Sequence, residues 1–101
     1  MLNNKKVLIL AENIYEDLEL WYPKLRLIEE GAKVIVAGTG DKTYKGKNGY
    51  PLEVDGNIED CKAKDFDAVI VPGGFAPDKL RRYREVLELV KQMHDSGKLV
   101  A

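Results

Sequence analysis

Asp67-Ala-Val-Ile-Val-Pro-Gly-Gly74 is the stretch whose reading decides the fold. Asp67 to Val71 is a continuous apolar run with β-branched members, the pattern of a strand buried on both faces of a parallel sheet. It runs straight into Pro72-Gly73-Gly74, where two glycines permit positive φ angles and a close approach of backbone N–H groups to a ligand. Two more runs of the same kind stand upstream, Lys6-Val-Leu-Ile-Leu-Ala11 and Lys33-Val-Ile-Val-Ala-Gly38. A further one opens at Lys98-Leu-Val-Ala101, where the sequence stops, which predicts a single domain over residues 1–101 whose remainder lies beyond it.

Helical patterns separate these runs. Asn13, Glu16 and Asp17 suit a helix start. Leu18, Trp21, Tyr22, Leu25 and Ile28 recur at helical spacing as one apolar stripe, and Gly31 suits the C-cap. Pro23 predicts either a kink or a regular helix beginning near it, because proline removes a backbone donor. Thr39 to Asn57 is rich in Gly, Lys, Asn and Asp and predicts an exposed arm, with Tyr50 to Val54 as short strands or a hairpin arm. Ile58 to Lys64 predicts a short helix. A helical segment opens at Ala76, carries its stripe on Val86, Leu87, Val90 and Met93, and stops at Gly97. The order strand, helix, strand, arm, strand, helix, strand predicts an α/β fold: a flavodoxin-like, doubly wound, mostly parallel sheet. Sites in such sheets lie at the carboxyl ends of strands, here residues 12–19, 39–40 and 72–78.

The chain has 101 residues with 16 basic and 17 acidic side chains, a net charge of −1. That balance offers nothing to attract nucleic acid or an anionic membrane. The single cysteine, Cys61, rules out an internal disulfide and favours a reducing compartment. Lys5-Lys6 before the first apolar run only mimics a signal peptide, since Glu12 follows too soon. No segment approaches the ~20 apolar residues of a membrane span. The expectation is a soluble cytoplasmic protein.

Four acidic residues, Glu12, Glu16, Asp17 and Glu19, crowd the end of the first strand. Glu16 and Asp17 read as complements of the helix dipole. Glu19, between Leu18 and Leu20, is expected to be partly buried, and a carboxyl withdrawn from water can hold a proton and act as general acid or hydrogen-bond donor. Backbone N–H groups of the Gly-Gly turn can stabilise an oxyanion, although a Gly-Gly pair also serves plain strand-to-helix turns. There is no Gly-x-Gly-x-x-Gly and no Walker lysine to cradle phosphate. His94, late in a helix, reads as a dipole complement, and Cys61 as an ordinary connector cysteine with lysines nearby that could lower its pKa. One cysteine and one histidine far apart make no metal site.

Taken together, Lys6-Val-Leu-Ile-Leu-Ala11, Glu16-Asp-Leu-Glu-Leu-Trp-Tyr-Pro23, Gly46-Lys-Asn-Gly-Tyr50, Phe66 to Gly74 with Ala76-Pro-Asp78, and Gly97-Lys-Leu-Val-Ala101 resemble the DJ-1/PfpI superfamily, most closely its PfpI-type intracellular peptidase branch. The resemblance implies a cysteine nucleophile in a Cys-His pair about three residues beyond Ala101, by the family's spacing. It implies that Glu19 hydrogen-bonds the nucleophilic sulfur, that Gly74, with Gly73, supplies the oxyanion donors, and that Asp78 reaches the histidine of a neighbouring subunit. Aspartate is a methylene shorter than the glutamate usual there. Asn48 and Phe75 depart from the histidine and arginine of close relatives. The implied function is a cysteine-dependent hydrolase acting as peptidase, protein deglycase or glyoxalase, with no cofactor, no metal and a homo-oligomeric assembly. Two alternatives stand beside it: a non-catalytic stress-response or chaperone-like member, and an unrelated flavodoxin-like binding module.

Overall fold

In the computed structural model, residues 3–49, 51–74 and 76–101 are described. Tyr50, the expected start of an arm strand, and Phe75, one of the two departures, lie outside the described residues. The elements follow the order β1 (Lys6–Leu10), α1 (Asp17–Glu29), β2 (Lys33–Gly38), β3 (Thr43–Lys45), β4 (Pro51–Glu53), β5 (Gly56–Asn57), two 3-10 turns (Ile58–Asp60 and Ala63–Asp65), β6 (Ala68–Ile70), α2 (Ala76–Leu80), α3 (Arg84–Asp95) and β7 (Leu99–Val100). Five strands make a parallel sheet in the order β5-β2-β1-β6-β7. This is the flavodoxin-like α/β arrangement expected from the alternation.

β1 lies at the centre because both its faces are apolar: Leu8, Ile9 and Leu10 are wholly buried. Each such side chain contributes roughly 1.5–3 kcal/mol relative to exposure. From β1 the chain crosses one way to β2 through α1, and from β6 the other way to β7 through α3. Right-handed crossovers in opposite directions put the two helices on opposite faces of the sheet. Val86, Leu89 and Met93 of α3 close one side of the core, and Leu27 of α1 packs on Val7, Ala32 and Ala68 on the other. The strand order reverses between β1 and β6, which places the ligand crevice at their carboxyl ends.

Several local expectations change. Pro23 sits inside α1 rather than at its start. It lies in the second turn and leaves only the carbonyl of Glu19 without its usual helical donor. The stripe Leu18, Tyr22, Leu25 and Ile28 points outward, with Leu18 72% exposed, whereas the wholly buried side chain of α1 is Leu20. Helical spacing identifies an apolar face without saying which side the sheet takes. The single helix expected over Ile58 to Lys64 is two 3-10 turns, broken by extended backbone at Cys61 and Lys62. The helical segment from Ala76 divides at Tyr83, whose backbone is extended. The arm forms a true antiparallel hairpin, β3 with β4, and β5 adds a short parallel edge to β2.

Candidate functional site

The site is organised by the six residues that join β1 to α1. Tyr15 forms a parallel bridge with Gly46 on one side and an antiparallel bridge with Gly74 on the other. Its ring is wholly buried, and its hydroxyl accepts a hydrogen bond from Trp21 Nε1 at 3.1 Å. The hairpin side is stitched by Ile14 N–H to Lys45 O (2.8 Å), Lys47 N–H to Tyr15 O (2.8 Å) and Lys45 N–H to Asn13 Oδ1 (3.0 Å). The Gly-Gly side is stitched by Glu16 N–H to Gly73 O at 2.9 Å. Ile14 takes φ +62°, unusual for a β-branched residue, at the point where the chain reverses. Gly74 takes φ +80°, and a Cβ there would lie 2.7 Å from the Ile14 carbonyl oxygen and 2.9 Å from the Glu16 nitrogen. Only glycine fits that approach.

These contacts bring Glu19 to the Pro-Gly-Gly turn. Gly73 N–H donates to Glu19 Oε1 at 2.7 Å. The sequence offered Gly73 and Gly74 together as oxyanion donors. In the structure Gly73 N–H is taken by the carboxylate, while Gly74 N–H makes no hydrogen bond with the described residues. Glu19 is exposed rather than partly buried: in the first turn of α1 it is Asp17 and Leu20 that turn inward. Asp78 is exposed on α2 and paired to its own Arg81 at 3.1 Å.

Glu16 and Asp17 do more than complement the dipole. Asp17 is buried beneath the hairpin turn, where Oδ1 accepts Asn48 N–H at 3.2 Å and a Cβ at Gly46 would collide with the carboxylate. Glu16 pairs with Lys47 at 2.6 Å. That contact holds the Glu16 carboxyl below, and the Lys47 ammonium above, their ordinary values. Composition alone missed this pair. The Gly-Lys-Asn-Gly turn was its available signal, since a glycine before Lys47 lets the hairpin lie flat on Asp17. Glu12 is buried, with Oε2 accepting from Thr39 Oγ1 at 2.7 Å and Oε1 from Asn13 N–H at 2.8 Å.

Cys61 stands apart, on the connector after β5. Its thiol donates to Asn57 O at 3.4 Å, and burial, reinforced by the charge of Asp60, pushes its pKa up. Lys6, rather than the neighbouring lysines, is the cation that opposes the rise. His94 is exposed in the last turn of α3. Among the described residues no cluster of His, Cys, Asp and Glu is placed to hold a metal ion, and no helix is long and apolar enough to cross a membrane.

The profile of the DJ-1/PfpI family matches residues 5–101. The chain belongs to the DJ-1/PfpI family. It is 43% identical over 96 residues to a deglycase of Pyrococcus abyssi, and 40% identical over 96 residues to the deglycase PfpI of Pyrococcus furiosus. Each match covers 95% of this chain and 58% of the relative, so the chain spans less than two thirds of their length. Among solved structures it resembles a two-domain protein of Anabaena variabilis with DJ-1/ThiJ/PfpI-like and ferritin-like domains. That match has a TM-score of 0.92 and 41% identity, over 96% of this chain and 28% of the other. The oxidized DJ-1 of Toxoplasma gondii shares the fold at a TM-score of 0.89 and 23% identity, over 95% of this chain and 53% of the other.

Proposed function

We propose that this chain supplies the proton-handling and oxyanion groups of a cysteine-dependent hydrolase of the deglycase type. The observation that carries the reading is the 2.7 Å hydrogen bond from Gly73 N–H to Glu19 Oε1, beside the unengaged N–H of Gly74. That bond fixes Glu19 Oε1 and leaves Oε2 as the oxygen free to face a reacting group. A thiolate adds to a substrate carbonyl carbon, and the C=O electron pair moves onto oxygen. The Gly74 N–H meets that oxygen, and Glu19 provides the proton that the adduct requires. Cys61 lies on the far connector, so the sulfur is assigned to protein sequence beyond these 101 residues, within the greater length of the relatives. The names of those relatives favour glycated amines over peptides as substrates. Asp78 is assigned to a contact with a neighbouring subunit of a homo-oligomer, which requires its pair with Arg81 to open or be shared.

The test uses the purified full-length protein and a methylglyoxal-derived amine adduct. Glu19→Leu is expected to lower turnover by about 10²–10⁴-fold, the usual worth of a general acid or base. Glu19→Gln keeps an acceptor for Gly73 N–H but has no proton to give, so it should fall nearly as far while retaining wild-type stability. Full turnover in Glu19→Leu would sink the assignment.

A further inference from the structure

A second cleft opens at the same end of the sheet, where the start of the β1–α1 segment meets the residues after β2 and α2. It has a volume of about 360 Å³ and is lined by Glu12, Asn13, Asp41, Lys79, Arg82 and Tyr83. That volume sits at the small end of the roughly 300–1,000 Å³ typical of ligand pockets. One wall is acidic and built in place. Glu12 is buried and held by Thr39 and Asn13. The Asp41 backbone is fixed by its N–H to Tyr44 Oη at 3.0 Å, and the same hydroxyl accepts Thr39 N–H at 2.7 Å. Gly38 makes room for that tyrosine, since a Cβ there would strike its ring.

The opposite wall is basic. Lys79 and Arg82 stand three residues apart, and Arg82 N–H donates to Lys79 O at 3.1 Å, so the turn continues from α2 and brings both side chains to one side. Their neighbours Arg81 and Arg84 are paired with Asp78 and Glu88, whereas Lys79 and Arg82 form no ion pair with the described residues. Nor do Glu12 and Asp41 reach a cation across the cleft. Two carboxylates and two cations thus line one cleft, and among the described residues no ion pair joins them. A phosphate drawn to Lys79 and Arg82 would meet two negative charges opposite, and a bare amine would meet two positive ones. We infer that this cleft binds a small zwitterion, a free α-amino acid. The ammonium group faces Glu12 and Asp41, and the carboxylate faces Lys79 and Arg82.

The inference is independent of the role given to Glu19. It is tested by amide-resolved NMR titration of the purified full-length protein with glycine, with ethylammonium and acetate as half-ligands and with inorganic phosphate. Glycine should shift the amides of residues 39–41 and 79–83 and bind more tightly than either half-ligand or phosphate. Arg82→Gln and Asp41→Asn, both at exposed positions that the fold does not rest on, should each weaken glycine by about tenfold, the scale of one charge-assisted contact. Glu19→Leu should leave the titration unchanged. The inference falls if either half-ligand or phosphate binds as tightly as glycine, if both variants titrate like wild type, or if Glu19→Leu abolishes the shifts.

Discussion

Glu16 and Lys47 form an ion pair that ties the hairpin turn to the start of α1. The two groups shift in opposite directions, and the pH windows follow from the signs. The Glu16 pKa is lowered on folding, so its contribution is present above the unfolded carboxylate value and is lost as pH falls through the folded one. The Lys47 pKa is raised, so its contribution is whole below the unfolded lysine value and is lost as pH rises through the folded one. The pair therefore acts across the neutral range. Replacing Lys47 by Met should move the Glu16 carboxyl upward, read from the pH titration of its side-chain carbon by NMR. An unmoved titration would mean that the contact is not populated in solution. Both side chains keep contact with water, so raised salt should shrink the effect.

At the scale of elements, β1, β2 and β6 were legible because each is a continuous apolar run, the pattern of a strand covered on both faces. β5 was not, because Gly56 and Asn57 owe their strand geometry to the edge of β2 rather than to any preference of their own. The outward turn of the α1 stripe was not legible either. A hydrophobic period gives a face, and only the tertiary contacts say what lies against it. At the candidate site, Glu19 and the glycine turn could be placed together from strand-end position and resemblance. Which N–H the carboxylate occupies depends on a sub-ångström fit that residue types do not encode. That fit is strict at Gly74. Gly74→Ala combines a left-handed backbone, costing about 1–2 kcal/mol for an L-residue, with a Cβ pressed on the Ile14 and Glu16 backbone. Denaturant unfolding should show a loss of at least that size, and an unchanged midpoint would contradict the geometry. Gly49, with open space around it, is the matched control: its φ of +83° carries the backbone penalty without the collision.

At the scale of the molecule, the described residues include two apolar features open to water. One is the outer stripe of α1, with Tyr22 and Leu25 67% and 58% exposed. The other is a sheet-face hollow of about 340 Å³ lined by Val7, Leu27, Ala68, Ile70 and Leu99. Apolar surface of this continuity on a lone domain promotes association. Residues 1–101 prepared alone should bind an apolar dye and self-associate as concentration rises, and Leu25→Lys with Leu99→Lys should reduce both. A dye-silent monomer at high concentration would show that these surfaces rearrange in solution.

Tyr15 touches Gly46 and Gly74, two places far from it and from each other along the chain. During synthesis, the ribosome makes the carboxylate of Glu19 long before it makes the glycine whose N–H holds it. Any nascent or truncated fragment that stops short of β6 has the acid but no cradle for it.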